Sequence, residues 1–159
     1  MKTAPRIGLA MRVPPPLMFV LTFLAGVGLE HWVPLARYVT AVAAAGRIVG
    51  AGLLIAGLLL TISSAGMFLW MRTTLVPFGA AAHLVTRGQY RFTRNPMYLG
   101  LVVAYLGMAG LLTQPWPIVL LPLPAAVLNA LVIPFEEERL REIFGASFVD
   151  YCTKVRRWI

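Results

Sequence analysis

Leu84-Val85-Thr86-Arg87-Gly88-Gln89-Tyr90-Arg91-Phe92-Thr93-Arg94-Asn95-Pro96-Met97-Tyr98-Leu99-Gly100 decides how the rest of the chain is read. Arg87, Arg91 and Arg94 stand directly before an apolar run. Asn95-Pro96 marks a helix start, because Asn can cap free N–H groups and Pro lacks an N–H of its own. The stretch predicts a cationic, donor-rich helix entrance. Such an entrance favours an anionic group on its ligand, since the first-turn amides and the helix dipole add to the arginine charge.

Outward from this stretch the sequence is apolar. Of 159 residues, 59% are hydrophobic and 13% charged, and the mean hydropathy is +0.79. Soluble domains are roughly half apolar and a quarter charged. The fold expected is therefore all-α: a polytopic membrane protein with about four transmembrane helices of roughly 20 residues each. A C-terminal interfacial amphipathic helix is expected after them, and residues 1–159 read as a single integral membrane domain. The net charge of +8 sits at the flanks of apolar runs, so anionic headgroups are the expected partner and nucleic acid is not. Cys152 is the single cysteine, which excludes an internal disulfide framework. No small-residue cleavage site follows the first apolar run, so a removable signal peptide is not expected.

Taken in order, residues 1–16 carry Lys2, Arg6 and Arg12 and end in Pro14-Pro15-Pro16, a stiff, non-helical approach to the bilayer. The first span is expected from Leu17 to Val33, with Glu30 and His31 reaching the interface beside Trp32. The second, Ile48 to Met71, holds Gly46 and Gly50 at a spacing that lets helices approach closely. Ser63 and Ser64 in it are expected to bond back to their own helix. Arg72 to Arg94 is the longest polar stretch between spans. The third span, Met97 to Leu112, is joined by the short turn Thr113-Gln114-Pro115 to the fourth, Trp116 to Phe135, which Pro117, Pro122, Pro124 and Pro134 interrupt into a kinked wall. Leu140, Phe144, Phe148, Tyr151 and Val155 then recur at helical spacing, with Gly145 as a divider, as an interfacial helix requires. The basic, aromatic tail Lys154-Val155-Arg156-Arg157-Trp158-Ile159 reads as an anchor at headgroups. The two loops opposite this basic side hold only Arg37 and Arg47, which places both termini in the cytoplasm. The setting expected is multi-pass, in the inner membrane of a bacterium.

Two polar clusters remain: the arginines with Asn95 before the third span, and Glu136 with Glu137 after the fourth. The tight turn between those spans returns both clusters to one side. One cluster offers cationic and amide donors for a carboxylate, and the other offers acceptors for an ammonium group or sugar hydroxyls. A zwitterionic, amino-acid-bearing ligand such as S-adenosylmethionine fits this pair, its sulfonium also suiting the faces of Tyr90 and Tyr98. From chemistry alone a structural clasp among Arg91, Arg94, Glu136 and Glu137 is an equal reading. Two distant histidines give no metal-ligand spacing, no glycine-rich phosphate loop is present, and Cys152 reads as a helix-face residue.

The order Leu84-Val85-Thr86-x-Gly88-x-Tyr90, Arg94-Asn95-Pro96-x-Tyr98-x-Gly100, Glu136-Glu137-x-x-Leu140, Phe144-Gly145 and Tyr151 resembles the C-terminal half of the isoprenylcysteine carboxyl methyltransferase family. Phosphatidylethanolamine N-methyltransferases are similar more loosely, through Asn-Pro-Met-Tyr and the paired glutamates. The resemblance covers about residues 76–157, the methyltransferase-like cofactor-binding portion. It implies a membrane enzyme that uses S-adenosylmethionine from the cytosol and a lipophilic acceptor from the bilayer, with O-methylation of an isoprenylcysteine-like carboxylate favoured over N-methylation of a phospholipid or amine. By the same resemblance Tyr90, Arg94, Asn95, Pro96, Tyr98, Glu136 and Glu137 are cofactor-pocket positions, and Arg94 and Glu137 also face the acceptor as catalytic residues. The chain departs from the family where Asn95 replaces a common His, where His83 is displaced by one place, and where Lys154 stands for a late Arg. An NADPH-dependent membrane lipid reductase and a non-catalytic scaffold are the rival classes.

Overall fold

The computed structural model describes residues 13–38, 43–70 and 84–159. Lys2, Arg6, Arg12, Arg72, Pro77, Gly79 and His83 lie outside the described residues. Within those described every regular element is helical: α1 (Pro15–Trp32), α2 (Ala43–Trp70), α3 (Pro96–Leu111), a long α4 (Pro115–Phe144) and a short α5 (Ala146–Lys154). Two of them, α2 and α4, are long and apolar enough to cross a membrane by length and composition.

The triple proline behaves differently from its expected role as a non-helical approach. Pro15 and Pro16 form the first turn of α1, with Pro14 as the residue before it. Those positions need no N–H and suit the fixed φ of proline, so the helix begins inside the run. At the other end of α1, Glu30 Oε1 accepts the Ala36 N–H at 2.7 Å and so fixes the turn that leaves the helix, while His31 is exposed.

The tightest packing is between α2 and α3. A Cβ added at Gly57 would lie 2.6 Å from the Gly100 carbonyl oxygen, and one at Gly50 would lie 2.7 Å from that of Gly107. Both separations are closer than real side chains tolerate, so the two backbones touch, antiparallel, along glycines spaced seven apart on each helix. Gly46 and Gly50, at the spacing expected to allow close approach, both meet Gly110, whose added Cβ would lie 3.0 Å from the Gly46 carbonyl oxygen and 3.3 Å from the Gly50 Cα. Thr61 Oγ1 adds a hydrogen bond to the Met97 carbonyl at 3.4 Å. Ser63 and Ser64 both donate to Leu60 O of their own helix.

The connection from α3 to α4 is the short turn at Thr113-Gln114, with Thr113 at a φ of 55°. Prolines then divide α4 into pieces that begin at Pro115, Pro122 and Ile133, the last after a π-helical turn over Leu128–Val132. Pro134 can neither donate to the Ala130 carbonyl nor fit against it, and the turn before it widens. The helix does not end at Phe135; it carries Glu136 and Glu137 onward to Phe144. Phe19, Tyr98, Tyr105, Leu128, Val132 and Ile133 form the core between α1, α3 and α4, with Phe19 and Phe23 edge-on to Tyr105. Gly145, at a φ of 52°, breaks the chain into α5. There Phe148, Tyr151 and Val155 are buried against Leu84, Leu140 and Phe144, so the buried members of the C-terminal stripe face protein.

Candidate active site

Six of the seven residues singled out before and after the α3–α4 hairpin meet at one end of the bundle, and the seventh, Tyr90, is tied to it through α5. Arg94 sits two residues before α3, and Glu137 lies one turn beyond Pro134 on α4. Arg94 Nη2 is 3.0 Å from Glu137 Oε1, both side chains being largely shielded from solvent. On the next position of α4, Glu136 Oε1 accepts a hydrogen bond from the buried Tyr98 hydroxyl at 2.6 Å. The two glutamates are adjacent in sequence but have different partners, one cationic and one a neutral donor.

Asn95 stands at the start of α3 without a side-chain cap hydrogen bond there. Its Nδ2 instead donates to the Arg157 carbonyl at 3.0 Å. Thr93 Oγ1 donates to the same oxygen at 3.1 Å, and the Arg94 N–H donates to the Arg156 carbonyl at 2.9 Å. A strap of four residues after α5, Val155 to Trp158, is thereby laid across the start of α3. The strap's carbonyl takes the Asn95 Nδ2 donor, which first-turn amides, being donors themselves, cannot use. Pro96 is buried beneath.

The expected entrance of three arginines reduces to one. Arg87, just before the turn Gly88–Arg91, and Arg91 at its end are exposed, whereas Arg94 pairs with Glu137. Arg157, read from the sequence as part of a headgroup anchor, is also turned inward. Its Nη2 donates to Glu137 Oε2 at 2.6 Å and its Nε to Glu137 Oε1 at 3.2 Å, a fork that only a planar guanidinium offers. Lys154, which matched the late arginine by position, pairs with Asp150 on an exposed face of α5. Arg157 was missed because its distance from Tyr151 fits no helical repeat; the carboxylate it needed, Glu137, was the available clue.

Tyr90 is buried, edge-on to Phe68 at 5.5 Å, and its carbonyl accepts the Tyr151 hydroxyl at 2.6 Å. Burial pushes the Tyr90 phenol well above its ordinary value, with Tyr151 and Glu136 adding to the effect. Burial likewise raises Tyr151 to about 12, against an opposing pull from the Arg94 charge. Both phenols are therefore neutral donors at physiological pH.

Arg94 has spent part of its guanidinium: Nη2 on Glu137, and Nη1 at 3.5 Å from the Cys152 carbonyl. Its Nε is buried without a hydrogen-bond partner among the described residues. A buried N–H left unmade costs roughly 1–3 kcal/mol, which is a standing reason for this end of the bundle to accept an anionic oxygen. The clasp and the ligand cage are thus not exclusive, since the clasp leaves a donor over.

A helical, apolar bundle with two helices able to cross a membrane and a charged knot at one end of its core hairpin describes the class of protein. The chain belongs to the phospholipid methyltransferase family, whose sequence profile matches residues 45–147, well over half its length. Among curated proteins it is similar to protein-S-isoprenylcysteine O-methyltransferase B of Arabidopsis thaliana, 32% identical over 72 residues, and to form A of the same plant, 33% identical over 72 residues. Each match covers 45% of this chain and 36% of the relative, so little more than a third of the relatives' own length is represented. No solved structure matches the chain.

Proposed function

We propose that the chain is a multi-pass membrane methyltransferase that draws its methyl group from S-adenosylmethionine and delivers it to a lipophilic acceptor, with the carboxylate of an isoprenylcysteine-like molecule first in order. The observation that carries this reading is the joining of Arg94 and Glu137, and of Tyr98 and Glu136, at one end of the hairpin. The residues fit an amino-acid-bearing cofactor. Arg94 Nε is a buried donor without a partner among the described residues, suited to a carboxylate. Glu136 has one oxygen, Oε2, outside its bond to Tyr98, suited to an ammonium group or a hydroxyl. Arg94, Tyr98, Glu136 and Glu137 would hold the cofactor, with Tyr90, Asn95 and Pro96 shaping the doorway. When bound, S-adenosylmethionine supplies a methyl carbon activated by a positive sulfur.

The chain's own part is to position and to exclude water. Transfer to a carboxylate would need no proton moved by the chain, because the acceptor oxygen is already anionic. Besides the cofactor, Arg94 would face the acceptor carboxylate, and the apolar residues of α3 and α4 would keep water from competing. The family's description as phospholipid methyltransferases supports a second reading, an amine acceptor. In that case Glu136 takes the proton that the amine must lose.

The bilayer setting has its own support. Leu21, Leu24, Ile48, Ile55, Leu59 and Ile62 are exposed on α1 and α2, and Trp32 and Trp70 are exposed at the helix ends, as lipid-facing surfaces with aromatic belts require. In this reading both termini and the charged knot face the cytoplasm with Arg37 and Arg47 opposite, and the exposed Ile143 of α4 and Val149 of α5 would rest at the interface.

Calorimetry with S-adenosylhomocysteine and with NADPH, on protein in detergent, tests the class. Binding of the former is expected, with Arg94→Ala and Glu137→Gln each weakening it at least tenfold; binding of NADPH alone would leave the lipid reductase as the answer. Methyl-tritium transfer to N-acetyl-S-farnesylcysteine gives a base-labile ester if the acceptor is a carboxylate, and transfer to phosphatidylethanolamine gives a base-stable product if it is an amine.

A further inference from the structure

We propose that Arg157 is a positioning residue of this site: it takes the Glu137 carboxylate in a fork, so that Arg94 keeps charge and a buried N–H for a carboxylate of the ligand. The inference rests on the methyltransferase reading above and adds a residue beyond the stretch matched by the family profile, which ends at residue 147.

Three observations carry it. Glu137 is shared: Arg157 occupies Oε2 at 2.6 Å and reaches Oε1 at 3.2 Å, while Arg94 reaches only Oε1, at 3.0 Å. Two guanidinium groups against one carboxylate leave one positive charge over. The neighbouring Glu136 is turned to Tyr98. Without Arg157, Arg94 and Glu137 close into a neutral pair, and the attraction for an incoming carboxylate falls. The second observation is Arg94 Nε, buried and without a partner among the described residues, the donor that a carboxylate would complete.

The third separates this role from holding the strap in place. The strap is fixed through backbone oxygens, that of Arg156 by the Arg94 N–H and that of Arg157 by Thr93 and Asn95, and Trp158 Nε1 adds a bond to Asn129 Oδ1 at 3.2 Å. None of these uses the Arg157 guanidinium. The side chain can be removed with the strap still docked, so its effect is electrostatic and passes through Glu137.

Arg157→Ala, Arg157→Lys, Glu137→Gln and the double variant Glu137→Gln/Arg157→Ala provide the test, each first checked for folding by thermal unfolding in detergent. Affinity is measured for S-adenosylhomocysteine and for 5′-methylthioadenosine, which lacks the amino-acid carboxylate, and KM is measured for N-acetyl-S-farnesylcysteine. Arg157→Ala is expected to weaken S-adenosylhomocysteine, or to raise the acceptor KM, by about tenfold, the order for losing one charge-assisted contact. An effect on S-adenosylhomocysteine assigns the carboxylate to the cofactor, and an effect on KM assigns it to the acceptor. Methylthioadenosine affinity stays unchanged, Arg157→Lys recovers part of the loss, and Arg157→Ala has little further effect once Glu137 is Gln. Should Arg157→Ala unfold, Arg157→Lys carries the same comparison, with a smaller loss confined to the carboxylate-bearing ligand. Equal ligand affinities and KM in wild type and Arg157→Ala, an equal loss for methylthioadenosine, or additive effects in the double variant would overturn the inference alone. Failure of the wild type to bind S-adenosylhomocysteine overturns the methyltransferase reading and the inference together.

Discussion

The α2–α3 seam and the charged knot at its end are built on opposite principles. In the seam Gly50, Gly57, Gly100 and Gly107 remove side chains so that backbone meets backbone, and the attraction is dispersion at short range. In the knot long side chains from α4, from the residues before α3 and from the strap span the gaps, and the attraction is charge. A seam without side chains has one arrangement and no means of adjusting. A knot with a shared carboxylate and an unmade N–H has alternatives, which is what a binding site needs and a scaffold does not.

The sharpest way to break the comparison is to give the seam a side chain. Gly57→Leu places a branched group where a Cβ already meets Ala104 and Gly100 backbone, and overpacking of this degree costs roughly 3 kcal/mol or more. Loss of folded protein in detergent, followed by size exclusion and thermal unfolding, is the expected result; a well-folded variant would show that the seam can open. Gly52, with nothing within 4 Å of its added Cβ, is the control that accepts Ala.

Tyr98→Phe comes next, because it touches the knot without moving a helix. It removes the donor to Glu136 Oε1 and leaves a shielded carboxylate short of one partner, at a cost of about 1–2 kcal/mol. A fall in unfolding temperature of a few degrees, together with weaker S-adenosylhomocysteine binding, is expected. Stability lost with ligand affinity intact would make this pair part of the scaffold.

The seam and the knot were not equally legible. Glycine spacing on α2 announced a close partner, yet the true register pairs Gly50 and Gly57 with glycines seven apart on α3, and only the facing helix could reveal that. The proximity of Arg94 to Glu137 followed from the brevity of Thr113-Gln114-Pro115, which forces the hairpin to return. The role of Asn95 did not follow, because capping is a local rule and the strap that takes its amide arrives from sixty residues on. Arg157 was hidden for the same reason: a basic, aromatic terminus reads as a surface feature until the carboxylate that draws it inward is placed.

Tyr151→Phe sharpens the contrast through pH. The hydroxyl joins α5 to the Tyr90 turn, and burial raises this phenol from 10.0 to about 12. A group whose value is raised on folding contributes fully below the unfolded value and loses that contribution as pH climbs through the folded one. The wild type should therefore lose stability between about pH 10 and 12 more steeply than the variant, while at pH 7 the variant is destabilised by about 1 kcal/mol for the lost hydrogen bond. Parallel pH profiles would show that ionisation of Tyr151 is not coupled to folding.

The smallest effect is expected at Lys154. By position after Tyr151 it stands for the late arginine of the resembling family, yet its Nζ pairs with Asp150 at 2.6 Å with both side chains more than 60% exposed. A surface pair one helical turn apart contributes about 0.3–0.5 kcal/mol, and Lys154→Ala should leave both unfolding temperature and S-adenosylhomocysteine affinity within error. Arg157→Ala, three residues later, removes a fork from a shielded carboxylate. If the Lys154 variant proves the more damaging of the two, sequence position outranks geometry here, and the charged knot is a clasp whose ligand lies elsewhere.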